Sequence, residues 1–365
     1  MDPKLSRRDF AKGVSLVSLA GATGVSLGCG GASTNQFAHA SAPDAGGFGR
    51  ISLNAYCFNS ALNDLSKTRK QSSCVQTLFD VLDFAHKYKV DAIDPTGYFF
   101  PQFPDAPPDS YLDEFKARAN ELGIAISGTG ARNDFAQPDP DSRARDVNIV
   151  KTWCKVAAHL GAPVVRLFAG VVPLGYEQRW QEVATWMAES MRECAVFARD
   201  YGVKLGLQNH GDMLRSSDQV LRVLEMIDSD VVGVINDTGY YSTPDPYVDI
   251  ERMMPYTISI QVKESVRPVK KQNPNYTDLP RLLRIIKDSG YPGYLPIETL
   301  PTVQQHSSTK PGDYNPSLAV TRFLVKLRAA ISEVTGQPLV ETPGEILCDP
   351  TDPRDPTTGR AIELQ

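Results

Sequence analysis

From Arg50 onward the chain repeats one pattern: a short apolar run, a polar loop, then a longer segment with apolar residues at helical spacing. Residues 51–58 read as a first strand, and 77–88 set Leu78, Val81, Leu82 and Ala85 on one helical face. Residues 91–94 form a second strand, and 109–122 a helix ending at Gly123, a favoured stop. Strands over 124–128 and 163–168 flank a helix over 141–160. A long helix over 176–201 leads into a fifth strand, 203–207, which breaks off into Gln208-Asn209-His210. Ser217 is placed to cap the helix carrying Val220, Val223, Leu224 and Ile227, before a sixth strand over 231–235. A short helix over 248–254 and a strand over 257–262 follow. Asp278 and Pro280 then open a helix, and a strand over 294–297 and a helix over 316–332 close the series.

Eight strand–helix units in about 285 residues fit a closed (β/α)8 TIM barrel better than an open doubly wound sheet. No GxGxxG or GxxxxGK[ST] follows the first strand, which removes the main warrant for a nucleotide fold. The expected layout is a leader and linker over 1–47, the barrel over 48–334 and a surface tail over 335–365.

Composition narrows the partners. A net charge of -5 with no basic, aromatic-interleaved stripe argues against nucleic acid. No apolar run is long enough for a convincing membrane span. The six cysteines are scattered without a CxxC pair, so neither a zinc knuckle nor a dense disulfide framework is expected. Near the N-terminus, Ser6-Arg7-Arg8-Asp9-Phe10-Ala11-Lys12 resembles the twin-arginine export motif, and the uncharged Gly/Ser-diluted stretch over 13–27 fits a signal h-region. The expectation is export to the periplasm through the twin-arginine machinery. Cleavage is left open between a lipoprotein-like site at Cys29, which would anchor the chain by lipid, and Ala38-His39-Ala40.

In such barrels functional side chains sit at the C-terminal ends of the strands. Those ends carry Asp94 and Tyr98; Arg132, Asn133 and Asp134; Arg166; Gln208, Asn209 and His210; Asn236 and Asp237; Gln261, Lys263 and Glu264; and Glu298. With apolar strand interiors, the mouth is expected to be a polar pocket.

These strand ends also carry a resemblance. Asp94-Pro95-Thr96-Gly97-Tyr98-Phe99, Ser127-Gly128-Thr129-Gly130-Ala131-Arg132-Asn133-Asp134-Phe135, Gly206-Leu207-Gln208-Asn209-His210, Gln261-Val262-Lys263-Glu264 and Leu295-Pro296-Ile297-Glu298 occur in order, one set per strand end. Over residues 51–331 the chain thereby resembles the xylose isomerase-like barrel superfamily, which includes sugar isomerases and epimerases, inosose dehydratase and endonuclease IV-type enzymes. The narrower likeness is to its sugar phosphate isomerase/epimerase branch. The resemblance implies one divalent ion held by Glu, Asp, His and Glu at the ends of strands five to eight. Asp237 and Glu298 match, whereas Gln208 stands for Glu and Gln261 for His. The four together offer an oxygen-rich shell, suited to Mg²⁺, Mn²⁺ or Ca²⁺ over Zn²⁺ and weaker by two strong donors. The other reading has Asp237 and Glu298 bonding sugar hydroxyls directly.

Gln208 also bears on mechanism, because an amide cannot accept a proton near neutral pH, and family epimerases resemble one another in using two glutamates. The remaining acid–base candidates are His210, whose imidazole needs little tuning, Lys263 as a fixed cation, Glu298 and, ranked last, Glu264. Tyr98, Arg132, Asn133, Arg166 and Asn209 are the expected substrate contacts. The leading expectation is an exported enzyme that removes a proton beside the carbonyl of a carbohydrate or keto-sugar, giving isomerisation or epimerisation. Its rivals are a lyase or hydratase outcome on the same fold and a non-catalytic sugar-binding barrel. Endonuclease IV-like repair is disfavoured, since only five histidines occur and His210 alone falls at a strand end.

Overall fold

The structure, a computed structural model, describes residues 47–62, 75–210, 213–268, 275–300 and 315–344. The export motif, both candidate cleavage sites, and the tail beyond 344 lie outside the described residues. The elements run β1 (Ile51–Asn54), α1 (Asn59–Leu62), α2 (Leu78–Lys87), β2 (Ala92–Asp94), α3 (Asp109–Glu121), β3 (Ala125–Ile126) and β4 (Thr129–Gly130). They continue with α4 (Pro140–Leu160), β5 (Val164–Phe168), α5 (Trp180–Asp200), β6 (Lys204–Gln208), α6 (Ser217–Ile227) and β7 (Val232–Asp237). Then come α7 (Pro246–Met253), β8 (Thr257–Lys263), β9 (Ser265–Val266), β10 (Asn275–Tyr276), α8 (Leu279–Asp288), β11 (Leu295–Glu298) and α9 (Pro316–Thr335).

The main sheet has nine parallel segments in the order β3-β2-β1-β11-β8-β7-β6-β5-β4. β3 and β4 are separated only by Ser127-Gly128; the first pairs with β2 and the second with β5. Together they occupy one barrel position, so eight strand positions close the ring and a helix follows each. The chain is a (β/α)8 barrel. Its strands are buried along almost their whole length because helices cover the outer face while side chains fill the interior.

Local chemistry sets the element ends. Thr77 and Asp80 form a reciprocal capping box on α2, and Asp139 caps α4. Ser216, not Ser217, caps α6: its backbone is extended and its hydroxyl accepts Gln219 N–H, while Ser217 is already helical. The first strand is also shorter than expected. Asn54 Oδ1 accepts Tyr56 N–H at 2.8 Å and turns 55–58 into a 3-10 helix that buries Cys57 and Phe58. The antiparallel pair β9–β10 was not expected, since two-residue strands are too short to show a period. No helix among the described residues is long and apolar enough to cross a membrane.

Candidate active site

The floor of the barrel mouth is built by β6, β7, β8 and β11. Asp237 sits beside Gln261, and Glu298 beside Lys263. Gln261 and Lys263 are two residues apart on β8, so their side chains emerge on the same face. Gln208 Nε2 donates to Asp237 Oδ2 at 2.6 Å, and Gln261 Nε2 donates to Glu298 Oε2 at 2.7 Å. Next to carboxylates only the amide –NH₂ can serve as donor, which fixes how both amides are turned. Lys263 Nζ pairs directly with Glu298 Oε1 and lies 3.4 Å from Asp237 Oδ2. Gln208 Oε1 is buried and has no hydrogen-bond partner.

Two asparagines brace neighbouring strand ends. Asn209 Nδ2 donates to the Asp237 carbonyl at 2.9 Å, and its Oδ1 accepts Asp237 N–H at 2.7 Å. Asn133 makes the same two-way tie to the main chain of Phe168, at 2.9 and 3.0 Å. Both amides are spent on strand-end backbone. Gly239 serves the floor as well: its N–H donates to Asp237 Oδ1 at 2.9 Å, and a Cβ there would lie 2.7 Å from Lys263 Cγ. Beneath Glu298, the Cys57 thiol donates to Ile297 O and accepts Thr299 N–H at 3.2 Å.

Burial dominates the electrostatics. Desolvation pushes the Asp237 carboxyl up to about 6, partly offset by Lys263. Burial pulls the Lys263 ammonium down, but Asp237 and Glu298 outweigh it and hold its pKa above the ordinary value. His210 behaves unlike the expectation of a near-neutral imidazole. Burial, followed by the charges of Lys263, Arg166 and Arg267, lowers it to about 3, so at neutral pH its ring is uncharged and a poor base. It lies between the Phe168 and Tyr240 rings, with centroids 4.8 and 4.2 Å away.

Above the floor opens a cleft of about 810 Å³, within the range of small-molecule sites. Among the expected residues, Tyr98, Arg132, Asn133 and Arg166 line it, as do Gln208, His210, Lys263 and Glu298. Asn209, Asp237 and Gln261 are not in its lining and act behind it. Arg166 is 3% exposed, and its Nε and Nη2 have no hydrogen-bond partner. Its guanidinium rests over the Phe168 ring and against Gly130, where a Cβ would approach Nη2 to 2.8 Å. Burial lowers its pKa, but Tyr98 and Asp94 raise it more, so the group stays charged. Tyr56, Phe168 and Tyr240 also line the cleft and were not expected. Each is an aromatic at, or within three residues of, a strand's C-terminal end, a signal that was available in the sequence.

The arrangement does not fit the divalent ion that the strand-end pattern implies. Both glutamine –NH₂ groups face the carboxylates, turning donors where ligand oxygens are needed, and the Lys263 ammonium stands between Asp237 and Glu298. Among the described residues no group of three or more His, Cys, Asp and Glu is placed to hold a metal.

Comparisons agree with the fold. A family described as xylose isomerase-like TIM barrel matches residues 82–320. An uncharacterized protein of Methanocaldococcus jannaschii is 23% identical over 202 residues, covering 52% of this chain and 68% of that protein. D-psicose 3-epimerase with D-tagatose, from Clostridium cellulolyticum, superposes with a TM-score of 0.59 at 16% identity, over 78% of this chain and 98% of its own. The IolI protein with a bound zinc atom gives 0.59 at 16% identity, over 79% and 100%.

Proposed function

Since the chain belongs to the xylose isomerase-like TIM barrel family, we propose that its barrel mouth is the active site of a sugar isomerase or epimerase-like enzyme. It acts on a carbohydrate or keto-sugar by removing a proton next to a carbonyl. The observation that carries this reading is the Lys263–Glu298 pair at the floor of a cleft roomy enough for a sugar. Glu298 is the carboxylate that takes the proton and returns it. Lys263 holds the negative charge that develops on the substrate oxygen, a fixed cation in a poorly solvated place. Gln208 Oε1 and the Arg166 N–H groups are free to bind hydroxyls, and the neutral His210 ring donates or accepts without moving charge. The sugar epimerases among similar folds support the substrate class.

One specific observation favours a narrower outcome. Gln208 stands where a second base would have to act, so Glu298 serves alone. A single base suits a transfer between neighbouring carbons on one face, or an elimination, better than inversion of a centre. The twin-arginine motif adds that the enzyme works outside the cytoplasm, on an unphosphorylated substrate.

The test is turnover of a keto-sugar panel. Glu298→Gln is expected to lower kcat by about 100-fold or more while leaving the fold intact. Undiminished turnover in that variant would overturn the reading.

A further inference from the structure

We infer that the Lys263 ammonium permanently takes the place of a catalytic metal ion in this barrel, so that the site works with a covalently attached cation. The inference deepens the function proposed above and rests on the same site. Its observation, however, is a cation position, independent of any substrate.

Asp237 and Glu298 would hold a divalent ion only if each turned an oxygen to it at about 2.0–2.6 Å. Those oxygens are engaged. Glu298 Oε1 takes the ammonium and its Oε2 takes Gln261 Nε2; Asp237 Oδ2 takes Gln208 Nε2 and faces the ammonium at 3.4 Å. A divalent ion in the same space would meet a positive charge and two amide –NH₂ groups.

Lys263 is also built in. It is 6% exposed, and its N–H donates to Thr238 Oγ1 at 3.0 Å. Its carbonyl accepts Thr277 Oγ1 at 2.7 Å, its stem passes the bare Cα of Gly239, and its ammonium lies 5.3 Å from the Tyr240 ring centroid. A side chain held at its backbone, its stem and its head is a resident of the site. The two glutamines then have one common explanation: with an ammonium in place, the carboxylates need neutral donors beside them, and further anionic ligands would leave the centre overcharged.

The experiment is calorimetric titration of the full-length protein with Mn²⁺ and with Zn²⁺, with no substrate present, beside Lys263→Ala. Wild type is expected to bind Mn²⁺ more weakly than about 1 mM, at or beyond the loose end of protein cation sites. Lys263→Ala should gain Mn²⁺ affinity by about 100-fold, the scale set by removing one close positive charge, and its Tm should rise with added Mn²⁺. One equivalent of tightly bound Mn²⁺ or Zn²⁺ in wild type overturns the inference, and so does a folded Lys263→Ala that gains no affinity. If that variant does not fold, the wild-type titration decides alone. Because the readout needs no turnover, a silent sugar panel would count against the proposed reaction and leave this result standing.

Discussion

The two arcs of the barrel mouth are built on opposite plans. From β6 through β11, Gln208, Asp237, Gln261, Lys263 and Glu298 are knit to one another, and within that group only Gln208 Oε1 is a buried side-chain atom without a partner; Glu264 Oε2, just past β8, is a second one outside it. From β1 through β5, Tyr56 and Tyr98 line the cleft, Arg132 is exposed, and Arg166 keeps two buried N–H groups unpaired. The first arc is set before any ligand arrives. The second becomes satisfied when one binds. Chemistry that needs preorganised charge belongs on the closed arc, and recognition belongs on the open one.

The comparison breaks most readily at Lys263. Lys263→Met leaves two buried carboxylates without their cation, and should cost about 3–5 kcal/mol in chemical denaturation. A loss too small to detect would mean that the closed arc is not set by this charge.

Arg166→Met acts on the open arc. It should cost less than about 2 kcal/mol of stability, yet raise KM about tenfold or more through the loss of a charge-assisted hydrogen bond. Unfolding comparable to that of Lys263→Met would erase the distinction between the arcs.

The smallest effect is a pH slope at their junction, where His210 lies. Unfolded, this imidazole takes a proton through its ordinary 6.5; folded, it stays neutral down to about 3. Between those values the unfolded chain binds more protons, so this group makes stability fall as pH falls. Asp237 works the other way between 3.8 and about 6, where the folded chain binds the extra proton. Because wild type and His210→Gln share that contribution, Tm measured from pH 6.5 to 4 should drop less in the variant. Parallel curves would place the ring in a wetter, less cationic setting than the closed arc provides.

Much of this was legible in the chain because barrel strands declare themselves as apolar runs, and their ends as abrupt polarity. Asp237, Lys263 and Glu298 stand out that way, and Arg166 stands out as a lone charge inside an apolar strand. The direction of an amide was not legible: Gln208 and Gln261 looked like oxygen donors until the neighbouring carboxylates turned their –NH₂ groups inward. Asn133 and Asn209 looked like sugar contacts, since nothing along the sequence reveals that the backbone of the neighbouring strand will consume both ends of an amide. The depressed pKa of His210 comes first from burial and then from Lys263, Arg166 and Arg267, and only closure of the ring supplies either. Tyr56, Phe168 and Tyr240 escape notice for another reason: an aromatic at or near the end of an apolar run looks like its continuation, and abrupt polarity does not mark it.

The Cys57 thiol under Glu298 has a consequence for the conditions in which the site can operate. Burial pushes it up to about 12, so at pH 7 only about one molecule in 10⁵ carries the thiolate that oxidants and disulfides attack. Cys154 and Cys194 are buried and held up in the same way. While the barrel stays folded, these three sulfurs are therefore slow to exchange, and the backbone that carries Glu298 keeps its shape in a reducing or an oxidising milieu alike.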